Sequence, residues 1–145
     1  MTLGKKIAVY AVAAVLAGGL GLFLWQVVDS RGSASGASVA VAVPDLSAVA
    51  ARGKITFDAV CAACHGTNAA GSGKGPPLVN NIYNPGHHAD AAFFRAVRLG
   101  SRQHHWRFGD MPPQPQVTDE QVEAIVQYVR ELQRANGITR QPHQM

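Results

Sequence analysis

Two cysteines and a histidine stand at a spacing that suits one chemistry. Cys61-Ala62-Ala63-Cys64-His65 is Cys-x-x-Cys followed at once by His, the pattern of covalent c-type haem attachment. Two thiols on successive turns of a helix can add to the two vinyl groups along one porphyrin edge. The next residue then projects an imidazole at the iron, which takes a neutral histidine nitrogen as an axial base. The chain has two cysteines, so no thiol is left for another purpose. Three other uses fit less well. A thioredoxin-like redox pair needs a βαβ context, and no alternating run of branched residues flanks this one. A zinc module would need two more ligands. His87, His88, His104 and His105 are at hand, but adjacent pairs do not follow the spaced histidines of such modules. A disulfide across two intervening residues on a helix would be strained. The expected cofactor is therefore one haem c, bound through Cys61 and Cys64, with His65 on the iron.

An iron that only exchanges electrons is best held on both faces, and a thioether is a good second ligand that raises the potential. Of the three methionines, Met1 and Met145 are the first and last residues. Met111 sits in Met111-Pro112-Pro113-Gln114-Pro115, where prolines lock the backbone and remove amide donors. Met111 is the expected second ligand. His104 and His105 remain rivals for that position, since imidazole also binds haem iron. They read more readily as surface groups or as neighbours of the haem propionates. His87, His88 and His143 read as solvated. Tyr83, Trp106 and Arg107 are candidates for propionate contacts; for Trp106 the reason is that a buried indole N–H needs an acceptor.

The elements that must position these groups read as helices joined by loops. At helical spacing Gly53, Phe57, Cys61 and Cys64 share a face. Glycine is a poor helix former, so Gly53 makes sense where another helix crosses close to its backbone. Thr118-Asp119-Glu120-Gln121 reads as a capping box. Val122, Ile125, Val126, Val129 and Leu132 then repeat at helical spacing until Asn136-Gly137 ends the run. Glu120, Glu123, Arg130 and Arg134 lie off that stripe and read as a solvated face. A third helix over Asp90 to Leu99 carries Phe93, Phe94 and Val97, and Gly100 stops it. Gly71 to Pro77 is loop. It is no phosphate cradle, because Lys74 is followed by Gly75-Pro76 rather than by Ser or Thr at a helix start. Phe57, Leu78, Phe93 or Phe94 and Val126 would supply apolar surroundings for the porphyrin.

Ahead of this lies a different kind of sequence. Ile7 to Val28 carries no charge and exceeds the roughly 20 residues that cross a bilayer core. Lys5 and Lys6 precede it and Trp25 stands near its far end, as basic and aromatic flanks of a membrane span do. A cleaved secretory signal would have a shorter apolar region. Residues 1–28 are therefore expected to be an uncleaved transmembrane anchor and residues 29–51 a flexible small-residue linker. Residues 52–145 are expected to be the haem-bearing head, with a short C-terminal tail. By the positive-inside bias the N-terminus is cytoplasmic and the head lies across the membrane.

Residues 52–137 resemble class I cytochrome c, the mono-haem His/Met family. Gly53, Phe57, Cys61, Cys64 and His65 match its N-terminal helix in order and spacing. Gly75-Pro76-Pro77-Leu78 resembles the family loop whose proline carbonyl holds the haem histidine, Pro76 being the matching residue. Met111-Pro112 resembles the methionine-ligand loop, and Tyr128 the aromatic that packs the C-terminal helix on the N-terminal one. Ser101 to Asp110, rich in His, Arg and aromatics, departs from the pattern. The resemblance implies an all-α fold: a small cytochrome c-like helical haem domain, here preceded by one N-terminal transmembrane helix of a kind seen in bacterial tethered cytochromes.

It also implies single-electron transfer without a substrate on the iron, so no enzyme in its own right. The expected role is a carrier in the bacterial inner membrane with its haem domain in the periplasm. Its partners would be a quinol–cytochrome c oxidoreductase and a terminal oxidase of a respiratory or photosynthetic chain. A fixed cytochrome subunit of a larger oxidoreductase is the alternative, and a gas-binding or peroxidatic protein would need an open sixth site. The formal net charge is +4, with Arg95, Arg98, Arg102 and Arg107 in a stretch free of acids. That suits an acidic docking face better than nucleic acid.

Overall fold

The structure is a computed structural model that describes residues 38–142, together with Gly19 and Gly21. The chain divides into two units, Met1–Ser35 and Gly36–Met145; the second carries the haem motif. The expected anchor, apart from those two glycines, and the expected linker as far as residue 37 lie outside the described residues, as does His143. Among the described residues no helix is long and apolar enough to cross a membrane.

Among the described residues four α-helices carry the second unit: α1 (Ala48–Val60), the single turn α2 (Ala62–His65), α3 (Asp90–Leu99) and α4 (Asp119–Ala135). Short 3₁₀ turns stand at Thr67–Ala69 and Asn81–Tyr83. Extended pairing among the described residues is confined to two isolated bridges, Ser72 with Gly75 and Ser101 with Met111. The domain is helical, as its pattern predicts.

The core forms where α1 crosses α4. An added Cβ at Gly53 would overlap the Ala124 carbonyl, so only glycine lets the two backbones meet there. Phe57 and Tyr128 pack edge to face beside this point, ring centroids 5.5 Å apart, and both are fully buried. The Tyr128 hydroxyl donates to Asn68 Oδ1 at 3.2 Å, so the polar end of that buried ring is satisfied. Helix α4 starts as expected. Thr118 Oγ1 accepts from the Gln121 amide at 3.3 Å, and Gln121 Oε1 accepts from the Thr118 amide at 2.9 Å. Its buried residues include Val122, Ile125, Val126, Val129 and Leu132.

Two expectations need correction. The linker does not run free to residue 51: α1 already begins at Ala48, with Ser47 Oγ accepting from the Ala50 amide at 3.2 Å. Ala48, Val49, Ala50 and Ala51 are mostly strong helix formers, and a serine cap suffices to start them. Residues 38–47 are held against the domain. The Val39 amide donates to Ala70 O at 2.8 Å and the Ala42 amide to Asn136 Oδ1 at 2.9 Å. Val39, Val41 and Leu46 pack on the core.

The second correction is Arg130, expected on a solvated face but only 6% exposed. Its guanidinium donates to Asp90 Oδ1 at 2.8 Å, Tyr83 O at 2.8 Å, Gln133 Oε1 at 2.6 Å and His88 O at 2.5 Å. It also lies 5.0 Å from the Phe93 ring centre. The planar five-donor fork of arginine can serve four acceptors at once, which offsets the cost of burying its charge.

Candidate functional site

One cavity of about 200 Å³ opens beside the Cys-x-x-Cys-His motif. His65 and Met111 both line it, together with Cys61, and Phe57, Leu78, Phe93, Val97 and Ile125 give it apolar surface. Each polar group reaches it for a local reason.

Cys61 sits at the break between α1 and α2, with φ −98 and ψ −33. The turn α2 then carries Cys64, which is exposed, and His65. Burial, with the neighbouring Cys64 adding to it, pushes the Cys61 thiol up to about 11, so it rests as the thiol rather than the thiolate. His65 Nδ1 donates to Pro76 O at 2.9 Å. A carbonyl at that nitrogen fixes the tautomer and leaves Nε2 with its lone pair. Burial lowers the His65 pKa and the Pro76 bond opposes it only in part, so the ring is neutral, as a metal ligand must be. The Pro76 loop comes this close because Gly75 has no side chain; an added Cβ there would crowd the Cys64 carbonyl.

Met111 is fixed from the far side. Its amide donates to Ser101 O at 2.8 Å and the Ser101 amide to Met111 O at 2.9 Å. Gly100, at φ +75, leaves α3 just before this bridge, where any side chain would strike Met111 O. The Gln114 amide donates to Val97 O at 2.7 Å. The proline-stiffened segment is thus stapled to the end of α3. Residues 102–110 form a closed loop, held inside by Gln103 N to Asp110 Oδ1 and Gly109 N to Gln103 Oε1, each 3.0 Å. This is the stretch that departs from the family pattern.

Of the candidate propionate contacts, Tyr83 and Trp106 line the cavity, whereas Arg107 is exposed and is absent from its lining. Arg95 and Arg102 line it instead. Tyr83 is positioned by its carbonyl, which accepts from Arg130 and from Gln133 Nε2 at 3.0 Å. Burial pushes its phenol up, and the Trp106 indole N–H directed at it offsets part of that rise. That N–H nonetheless completes no hydrogen bond, although it is fully buried. A buried unpaired donor costs about 1–3 kcal/mol, so an acceptor belongs in this cavity.

Sequence reasoning misses Arg130 and Gln133. Both follow the apolar repeat of α4 by three or four residues, and that continuation of the stripe is the available signal. His87 and His88 also differ from expectation. They are half-buried rather than solvated. Ile82 O lies 2.8 Å from His87 Nδ1 and 2.7 Å from His88 Nδ1, and the two Nδ1 atoms are 2.9 Å apart, so one ring donates and the other accepts. Burial lowers the His88 pKa, the Ile82 bond opposes this, and the neighbouring histidines lower it further.

The residues present fit a covalently held metalloporphyrin. Two thiols stand at the attachment spacing, a neutral imidazole and a thioether line one apolar cavity, and an orphaned N–H lacks the acceptor that an anionic oxygen would supply. A family model for cytochrome c matches residues 50–133, more than half of the chain. No curated protein and no solved structure gives a significant match.

Proposed function

Because the chain belongs to the cytochrome c family, binds haem c covalently through the Cys61/Cys64 motif and serves haem-based electron transfer, we propose that it is a membrane-tethered carrier of single electrons, of the class I, His/Met type. The observation that carries this reading is the shared cavity of His65 and Met111, with His65 Nδ1 committed to Pro76 O. The haem supplies the Fe(III)/Fe(II) couple. Every other task falls to the chain. Cys61 and Cys64 would hold the porphyrin edge, His65 Nε2 and Met111 Sδ would be the protein's ligands to the iron, and Phe57, Leu78, Phe93 and Ile125 would exclude water. Held by the same two residues in both oxidation states, the iron would need little rearrangement on gaining or losing an electron. The apolar lining tunes the potential.

Trp106 and Tyr83 offer donors to the propionates. Arg95 and Arg102 at the cavity would steer an acidic docking face on a partner, such as a quinol-oxidising complex or a terminal oxidase. The uncharged run Ile7 to Val28 and Lys5-Lys6 support an anchor in a bacterial cytoplasmic membrane, with the haem domain in the periplasm.

Three measurements test this. The purified protein keeps its colour through acid–acetone extraction and shows a low-spin spectrum with a sulfur-to-iron charge-transfer band when oxidised. Met111→Ala abolishes that band while the covalent haem remains. If the band survives in Met111→Ala, the second ligand lies elsewhere, and a high-spin parent spectrum would point to an open iron site instead. Replacement of residues 1–28 by a cleavable secretory signal releases the coloured protein from salt-washed membranes.

A further inference from the structure

We propose that His87, His88 and His105 form a second metal site, distinct from the haem iron, for a borderline divalent transition-metal ion such as Zn(II). One ring nitrogen from each of the three lies within 4.8 Å of the others. Tetrahedral coordination at about 2.0–2.1 Å places ligand nitrogens roughly 3.3 Å apart, so small side-chain rotations close the triad. Linear spacing does not announce it, because the ligands come from two separate loops.

The first two arrive by way of Asn84, which is only 6% exposed. Asn84 Oδ1 accepts from the Gly86 amide at 2.8 Å and the His87 amide at 3.3 Å, and Nδ2 donates to Asn81 O at 2.7 Å. This Asx turn brings the rings of two consecutive residues to the same side, 4.6 Å apart. Ile82 O stands within reach of both Nδ1 atoms, which are themselves 2.9 Å apart, so it can take the ring N–H of one of the two histidines. A metal-bound histidine characteristically donates its other ring N–H to such a carbonyl, which fixes its tautomer.

The third ligand comes from the 101–111 loop, which the Ser101–Met111 bridge closes. The His105 ring lies 5.1 Å from His87 and 5.3 Å from His88. His104 is 4.4 Å from His105 and stacked 5.9 Å from His88, so either His104 or a water can complete four-coordination. The donor set is imidazole alone. It suits Zn(II), Cu(II) or Ni(II) and not Ca(II) or Mg(II), which need oxygen ligands.

The site adjoins the haem cavity, since His88, His104 and His105 line it along with His65 and Met111. A bound dication there favours the ferrous over the ferric haem and raises its potential. That consequence rests on the electron-carrier reading, whereas metal binding itself does not.

The test titrates Zn(II) by calorimetry into the full-length, haem-loaded protein and into His105→Gln and His87→Gln/His88→Gln variants. Zinc-edge X-ray absorption on the one-to-one complex and the haem midpoint potential are read alongside. One Zn(II) per chain is expected, with three or four nitrogens at about 2.0–2.1 Å, an unchanged visible spectrum and a potential that rises with zinc. Affinity should fall at least tenfold in each variant. Absence of a stoichiometric site in the parent, undiminished affinity in both variants, or a spectrum altered by zinc would overturn the site. An unchanged potential would overturn its placement against the haem. The electron-carrier reading fails separately, through loss of haem in acid–acetone.

Discussion

Trp106 Nε1–H is buried without a partner, in a residue that lines the same cavity as a phenol, an imidazole and a thioether. A propionate oxygen would satisfy it. Trp106→Phe in the haem-loaded protein should therefore cost about 1–3 kcal/mol, measured by guanidinium unfolding followed through the haem spectrum. Arg130 is the complementary case, a buried donor with every acceptor in place. Lysine keeps the charge but offers a point donor in place of a fork. Arg130→Lys leaves the His88 carbonyl and Gln133 Oε1 short of donors and should cost about 1.5–3 kcal/mol in the same measurement. His65 and Met111 are legible from residue type and spacing, and Pro76 only through a resemblance. Arg107 is exposed and lies outside the cavity lining. Nothing in one-dimensional spacing separates Arg102, which lines the cavity, from Arg107, which does not. Arg102 directly follows the Ser101–Met111 bridge, a pairing that no periodicity announces.

Among the elements, the α1/α4 crossing sets the wall on which Cys61 and His65 stand. Gly53 is the contact point, and a methyl there would overlap the Ala124 carbonyl, which is backbone and cannot rotate away. Gly53→Ala should destabilise the haem-loaded protein by about 3 kcal/mol, the upper part of the overpacking range. Gly73→Ala, where nothing lies within 4 Å, should change stability by less than about 0.5 kcal/mol. Thermal or denaturant unfolding of the pair checks both. Helices α3 and α4 are readable in the sequence because local signals agree: an apolar repeat, a capping box at Thr118 and glycine at the end. The start of α1 is not. Four small residues after Ser47 look like linker composition, and only docking distinguishes a helix of alanines from a spacer of alanines.

For the whole unit, the segment 38–47 is fastened to the helical pair at several points, and one carboxylate is central among them. Glu131 Oε2 accepts from the Ser47 amide at 3.0 Å, at the point where the segment enters α1. Desolvation pushes the Glu131 carboxyl up, but the Ser47 hydroxyl and amide, Gln127 and Arg134 together outweigh it and hold the carboxyl below its ordinary value of 4.5. A carboxyl depressed in the folded state binds its proton more readily in the open one. Its contribution is thus fully present above pH 4.5 and is lost as pH falls through the folded value. Asn136 holds the same segment by uncharged bonds, donating from Nδ2 to Ala42 O at 2.8 Å, and so does not titrate. Amide hydrogen exchange over residues 38–47 should therefore remain slow down to about pH 4.5, once intrinsic exchange rates are divided out, and lose protection below it. Glu131→Gln should show reduced protection already at neutral pH and no further acid dependence, whereas Asn136→Ala should lower protection at every pH and keep the acid dependence. If the parent's protection is flat from about pH 7 to about pH 3, the carboxylate is not what fastens the segment.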